Sequence, residues 1–118
     1  MSKRESGIPR SHFLVLLALA DVARHGLGIA EEIDRRTNGA VQLGPGTLYG
    51  TLKRLAKDQW VEEAGSVPDP TDHDPRRRYW QLTSEGRAAL SDEVALIQDL
   101  MAAASDKALL PAKADGIG

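Results

Sequence analysis

The sequence predicts a mainly α-helical fold with a small β-hairpin: three helices, then two short strands, then a closing helix. Three observations carry that prediction. Apolar residues recur at three- and four-residue spacing in four separate stretches. A loop holding Pro68, Pro70 and Pro75 separates two short strand-like runs. The 118 residues, 42% of them hydrophobic, are enough for one core that folds without metal or disulfide staples.

The first helix is expected from Ser11, which is available to cap it. Phe13, Leu16, Leu17, Ala20 and Ala23 would share one face, and Gly26 would stop it. A second, shorter helix carries Ile29, Ala30 and Ile33 inward and Glu31, Glu32, Asp34, Arg35 and Arg36 toward water, and Asn38-Gly39 ends it with a turn signal. Gly44-Pro45 announces the third, because proline suits the first helical position, where its missing N–H is not needed. Leu48, Leu52 and Leu55 supply its core stripe.

Trp60-Val61-Glu62 reads as a short strand, and the stretch from Gly65 to Pro75 as a loop. Arg77 to Leu82 is the return strand, in which alternation sends Trp80 and Leu82 to one face and Tyr79 and Gln81 to the other. Thr83 or Ser84 caps the last helix. In it Leu90, Val94, Ile97 and Met101 are spaced as coiled-coil a and d positions, with Leu96 and Leu100 beside them. This order of elements describes a winged helix-turn-helix with a C-terminal extension. It divides the chain into a winged domain (1–83), a closing helix (84–105) and a flexible tail (106–118).

The formal net charge of −2 argues against a nucleic-acid partner only until its distribution is considered. Acidic residues gather at Glu31, Glu32 and Asp34, at Glu62 and Glu63, and along the last helix at Asp92, Glu93, Asp99 and Asp106. Between Gly44 and Lys57 stand Lys53, Arg54 and Lys57 with no acidic residue, and Arg76, Arg77 and Arg78 form a run of their own. In a helix-turn-helix the second helix lies in the major groove of double-stranded DNA with its N-terminal residues on base edges, so that end must be small, polar and free of acid. Gly46, Thr47, Tyr49 and Gly50 meet this requirement; Thr47 and Tyr49 can hydrogen-bond, and Lys53 and Arg54 would reach phosphate. Arg76, Arg77 and Arg78 stand at the base of the hairpin, where a wing lays guanidinium groups along the backbone or into a narrow minor groove. An ordinary solvated surface could also carry these residues. The convergence of charge, element order and pattern is what favours DNA.

Gly44-Pro45-Gly46-Thr47-Leu48-Tyr49, with Leu52, Arg54 and Leu55 after it, and Arg77-Arg78-Tyr79-Trp80-Gln81-Leu82-Thr83-Ser84-Glu85-Gly86 resemble the signature of the PadR family of transcriptional regulators. His25-Gly26 is similar to the family's His-Gly-Tyr, and the likeness runs from about Phe13 to about Met101. Gly44 stands where the family has serine, an exchange that costs only a few tenths of a kcal/mol at a helix cap. Leu27, Gly28 and Trp80 also depart from the family pattern, and the single short closing helix resembles the smaller PadR subgroup.

The resemblance implies a sequence-specific DNA-binding regulator, a repressor acting as a homodimer on a palindromic operator. It also implies, for some members, release by a small-molecule effector such as an aromatic acid or a drug. For this chain sensing rests on resemblance alone, because Trp60 and Trp80 stand where a winged-helix core needs bulk. Dimerisation has separate support: Leu90, Val94, Ile97 and Met101, with Phe13 and Leu17 of the first helix, offer more apolar surface than one small core covers.

Other classes find less support. The chain has no cysteine, hence no thiolate zinc site and no cysteine nucleophile, and a reducing, cytoplasmic setting is expected. No stretch reaches the roughly 20 apolar residues of a membrane span, and the polar start from Met1 to Arg10 has no signal-peptide core. His12, His25 and His73 are scattered, and Asp72-His73-Asp74 reads as a solvated wing tip, so no enzyme, metal site or cofactor is expected. A winged helix used only for protein contact remains the alternative; such a module favours acidic or apolar residues where this chain has Lys53, Arg54 and Lys57.

Overall fold

The structure, a computed structural model, describes residues 7–65 and 77–111. The polar start at 1–6, the loop prolines, Asp72-His73-Asp74, Arg76 and the end of the tail at 112–118 therefore lie outside the described residues.

Helix α1, Arg10–Ala18, is shorter than its apolar spacing predicts. Pro9 holds the N-cap position with no side-chain bond, and Ser11, the expected cap, lies inside the first turn. The helix stops before Ala20 and Ala23 because the chain is needed for pairing: Arg24 and His25 form a short strand, β1, and Arg24 Nε donates to the Ala18 carbonyl at 2.8 Å. Gly26, expected to end this helix, instead begins the next. Helix α2, Gly26–Arg36, has His25 at its N-cap, with Nδ1 3.1 Å from the Gly28 N–H. It buries Ile29 and Ile33, then closes through Asn38 and Gly39, both in the left-handed region at φ 52° and 81°.

Glu32 departs from the expectation that it faces water, for its side chain is only 8% exposed. Its carboxylate accepts from Arg36 Nε at 2.9 Å and from Arg35, and Arg24 Nη2 lies 3.7 Å away. The Arg36 hydrogen bond, helped by Arg35 and Arg24, holds this carboxyl below its ordinary value although burial pushes the other way. A lowered folded-state value means the cluster stabilises fully above the ordinary carboxylate range and loses its contribution as pH falls through the depressed one.

Helix α3, Pro45–Lys57, starts as expected, with Gly44 at the N-cap and Pro45 in the first turn, and buries Leu48, Thr51, Leu52 and Leu55. Its end is a Schellman turn: Gln59 sits at φ 66°, with its N–H on the Ala56 carbonyl and the Trp60 N–H on Leu55. That turn feeds the wing. Strand β2, Val61–Glu63, and strand β3, Tyr79–Leu82, pair antiparallel with Val61 opposite Leu82, and β1 pairs on the other side with His25 opposite Tyr79. The sheet thus has three strands in the order β1-β3-β2, one more than the expected hairpin. Trp80 and Leu82 pack toward the core as their parity predicts; Tyr79, on the opposite face, is buried too, with the His25 ring edge-on at 5.2 Å.

Helix α4, Ser84–Asp106, is capped by Thr83, whose hydroxyl accepts from the Gly86 N–H at 2.9 Å and donates to the Gln59 carbonyl at 2.7 Å. The Thr83 N–H donates to the Trp60 carbonyl at 3.1 Å. Gly86 lies against that same carbonyl so closely that a Cβ there would stand 2.0 Å from the oxygen. Beyond Leu90, which is buried in the core, the helix leaves the body and exposes Val94, Leu96, Leu100 and Met101.

The Gly86 contact is with backbone, which cannot swing aside. Gly86→Ala is therefore expected to destabilise by about 1–3 kcal/mol, in the range of other overpacked sites. Thermal unfolding should show a drop of roughly 4–8 °C for each kcal/mol, and an unchanged Tm would refute the close approach.

Candidate nucleic-acid interface

A helix turns 100° per residue, so Gly46, Gly50, Lys53 and Lys57, at i, i+4, i+7 and i+11, form one line along α3 opposite its buried leucines. Tyr49 borders this line on one side and Thr47 and Arg54 on the other, and all seven residues are exposed. Gly46 and Gly50 leave open space: among the described residues nothing lies within 4 Å of a Cβ at either. No carboxylate stands in the first turn of α3. That end therefore presents unoccupied N–H groups and the positive end of the helix dipole.

Arg54, by contrast, sits where α3 meets the start of α1. It is 4.0 Å from Asp58 and shares a cavity of about 290 Å³ with Pro9, His12, Asp58 and Trp60. Burial, and then the Arg54 charge, hold His12 below its ordinary value, while Asp58 opposes them.

The other side of α3 meets the wing. Tyr49 is 52% exposed, yet its hydroxyl end lies over α2, where a Cβ on Gly26 would stand 2.2 Å from the oxygen. Gly26 is thus the seat of Tyr49. Arg77 Nη1 lies 2.9 Å from His25 Nε2, and Arg78 Nη1 lies 3.5 Å from Glu63 Oε2 across the hairpin. His25, Gly26, Leu27, Tyr49, Arg77 and Arg78 together line a cleft of about 260 Å³. The structure therefore brings two of the three wing arginines to the edge of the α3 face, while Arg76 lies outside the described residues. His25 and Gly26 were missed as site residues, although the His-Gly pair was visible as part of the resemblance.

The apolar residues assigned to a dimer interface divide. Leu90 is buried in the chain's own core, and Phe13 is half-buried against it, whereas Leu17, Val94 and Met101 are exposed. Ile97 is half-buried. It lines a groove of about 460 Å³ with Ile8, Arg10, Phe13, Leu14, Thr37, Ala40, Val41 and Glu93. Among the described residues no His, Cys, Asp or Glu group could hold a metal ion, and no helix is long and apolar enough to cross a membrane.

Comparison with known proteins identifies the scaffold. A family model described as the transcriptional regulator PadR-like family matches residues 15–92. An uncharacterized protein X of Lysinibacillus sphaericus is 36% identical over 92 residues, 75% of this chain and 81% of that protein. The transcriptional regulator Rv3488 of Mycobacterium tuberculosis is 33% identical over 86 residues, 73% of this chain and 74% of that one. The crystal structure of Bacillus subtilis PadR in complex with operator DNA superposes with a TM-score of 0.59 at 15% identity, covering 71% of this chain and 46% of that one; the likeness is one of fold. The chain belongs to the PadR-like family of transcriptional regulators, a family of regulators and not of enzymes.

Gly26→Ala tests the seat of Tyr49. The blocking atom is the far end of a side chain, so the ring yields rather than the backbone. The variant should keep its Tm within a few degrees while the Tyr49 ring resonances move in an NMR spectrum; unmoved resonances would rule the contact out.

Proposed function

We propose that this regulator is a sequence-specific DNA-binding repressor. It acts as a homodimer on a palindromic operator, with α3 in the major groove and the wing on the backbone. The observation that carries the reading is the bare line of Gly46 and Gly50 on the exposed face of α3, beside Lys53 and Lys57. Glycine inside a helix is worse than alanine by about 0.8–1.0 kcal/mol, and among the described residues nothing needs the space. Close approach of a duplex accounts for it: glycines let the helix backbone sink toward the base edges, Thr47 and Tyr49 reach bases from either side, and lysines meet phosphate.

The protein-contact alternative is the weaker one, because the face is cationic and nearly without apolar groups, whereas interface cores are depleted of charge. Two-fold pairing through α4 and α1 would bury Val94, Leu100 and Met101 and set two recognition helices on half-sites roughly 34 Å apart. A small-molecule effector belongs to this reading by family resemblance. The groove between α1 and α4 is within the roughly 300–1,000 Å³ of ordinary ligand sites and borders the same surface. A DNA-bound regulator would work in the cytoplasm.

Two measurements test the proposal on the protein's own promoter region. Gly50→Ala should raise Tm, by the roughly 1 kcal/mol of helix propensity, and yet weaken DNA binding in an anisotropy titration. Binding at parental strength would sink the close-approach argument. Leu100→Glu should turn a dimer into a monomer in light scattering and abolish operator binding at the same protein concentration; a parent that is already monomeric at micromolar concentration would refute the dimer.

A further inference from the structure

We infer that His25 is a positioning residue for the DNA-binding surface: its Nε2 accepts from the Arg77 guanidinium and fixes the wing's arginine beside Tyr49 of α3. The inference rests on the reading of α3 and the wing as a DNA interface. It adds a residue that sits on neither element.

The bond runs in one direction only. Arginine is always protonated and has five N–H donors and no acceptor, so at 2.9 Å Nη1 must donate and Nε2 must carry a lone pair. The gain is preorganisation: a long, exposed side chain is held in one direction before DNA arrives, so less rotamer freedom is lost on binding.

The ring has a second claimant. Its Nδ1 lies 3.1 Å from the Gly28 N–H, the bond that caps α2. A neutral imidazole has one lone pair and one N–H, and a protonated imidazole has no lone pair. Both ring nitrogens thus face donors, and His25 can fully serve only one of them. A residue chosen solely to cap α2 would be asparagine or serine; a ring whose far nitrogen reaches the wing has a use there.

This conflict lets the two roles be separated. Asparagine places an oxygen at the δ position, like Nδ1, with nothing at the ε position; glutamine places its oxygen at the ε position and caps poorly. Both variants lose the ring contact with Tyr79, so that loss cancels in the comparison. His25→Asn is expected to keep or raise Tm but to weaken binding to promoter DNA, by a part of the loss that Arg77→Ala causes. The slope of log K against log salt should stay near the parent's, because the Arg77 charge remains, whereas Arg77→Ala should lower it by about 0.9, one phosphate contact. His25→Gln is expected to do the reverse, with lower Tm and near-parental affinity and slope. Adding Arg77→Ala to His25→Asn should weaken binding no further than Arg77→Ala alone.

His25→Asn binding like the parent while Arg77→Ala is weakened would overturn the inference, and so would equal losses in His25→Asn and His25→Gln. If Arg77→Ala itself leaves affinity and slope unchanged, the wing makes no phosphate contact and the inference falls with it. Gly50→Ala, measured beside it, then shows whether the α3 reading stands alone.

Discussion

One backbone carbonyl, that of Trp60, fixes the relation between the parts of this molecule. The Thr83 N–H donates to it, and Gly86 lies so close that no side chain fits between. The Thr83 hydroxyl donates to the neighbouring Gln59 carbonyl while accepting from Gly86, so three bonds and one close contact meet within a few residues. On one side of this junction is the Schellman turn that ends α3, and on the other the end of β3 and the start of α4. The aim of the wing relative to α3 and the direction in which α4 leaves the body are therefore set together. A shift at Gly86 would be felt at both the candidate nucleic-acid face and the outward apolar surface.

Charge is arranged by the same economy. The total of −2 includes carboxylates that stand beside the chain's own arginines: Glu32 with Arg24, Arg35 and Arg36, Asp58 with Arg54, and Glu63 with Arg78. The Glu32 cluster is structural, because it is buried and ties α2 through Arg24 to the last carbonyl of α1. The pairs at Arg54 and Arg78 are exposed, and exposed pairs are worth about 0–1 kcal/mol. A phosphate would displace such carboxylates at little expense, so on the proposed reading the pairing does not bar these arginines from DNA.

What the sequence made legible was whatever local chemistry decides. Gly44-Pro45 begins α3 and Thr83 caps α4 because each acts on its own neighbours, and the inward leucines of α3 follow from helical spacing alone. What stayed hidden depends on distant partners. Arg24 and His25 make too short a strand to show any alternation, and only pairing with Trp80 and Tyr79 defines it. Gly26 reads as a stop because glycine often follows a helix; its actual reason, the Tyr49 ring above it, comes from a residue 23 positions on. Glu32 reads as solvated because its buried state requires three arginines folded over it. Of the candidate site, the α3 half was visible as a helix free of acid. The His25-Arg77 half was not, because the two residues are far apart in the chain.

Two pairs of helical glycines differ in what surrounds them. Gly26 and Gly86 are small because another part of the chain occupies the space a side chain would take, so the fold itself explains them. Gly46 and Gly50 have open space around them, and the fold would be more stable with alanine at Gly50. A position where the helix gives up stability, next to no packing demand, is where the requirement comes from outside the chain. These two residues share one line with Lys53 and Lys57, flanked by Tyr49 and Thr47. On the proposed reading that partner approaches a helix backbone closely and carries negative charge, two properties of a nucleic-acid groove.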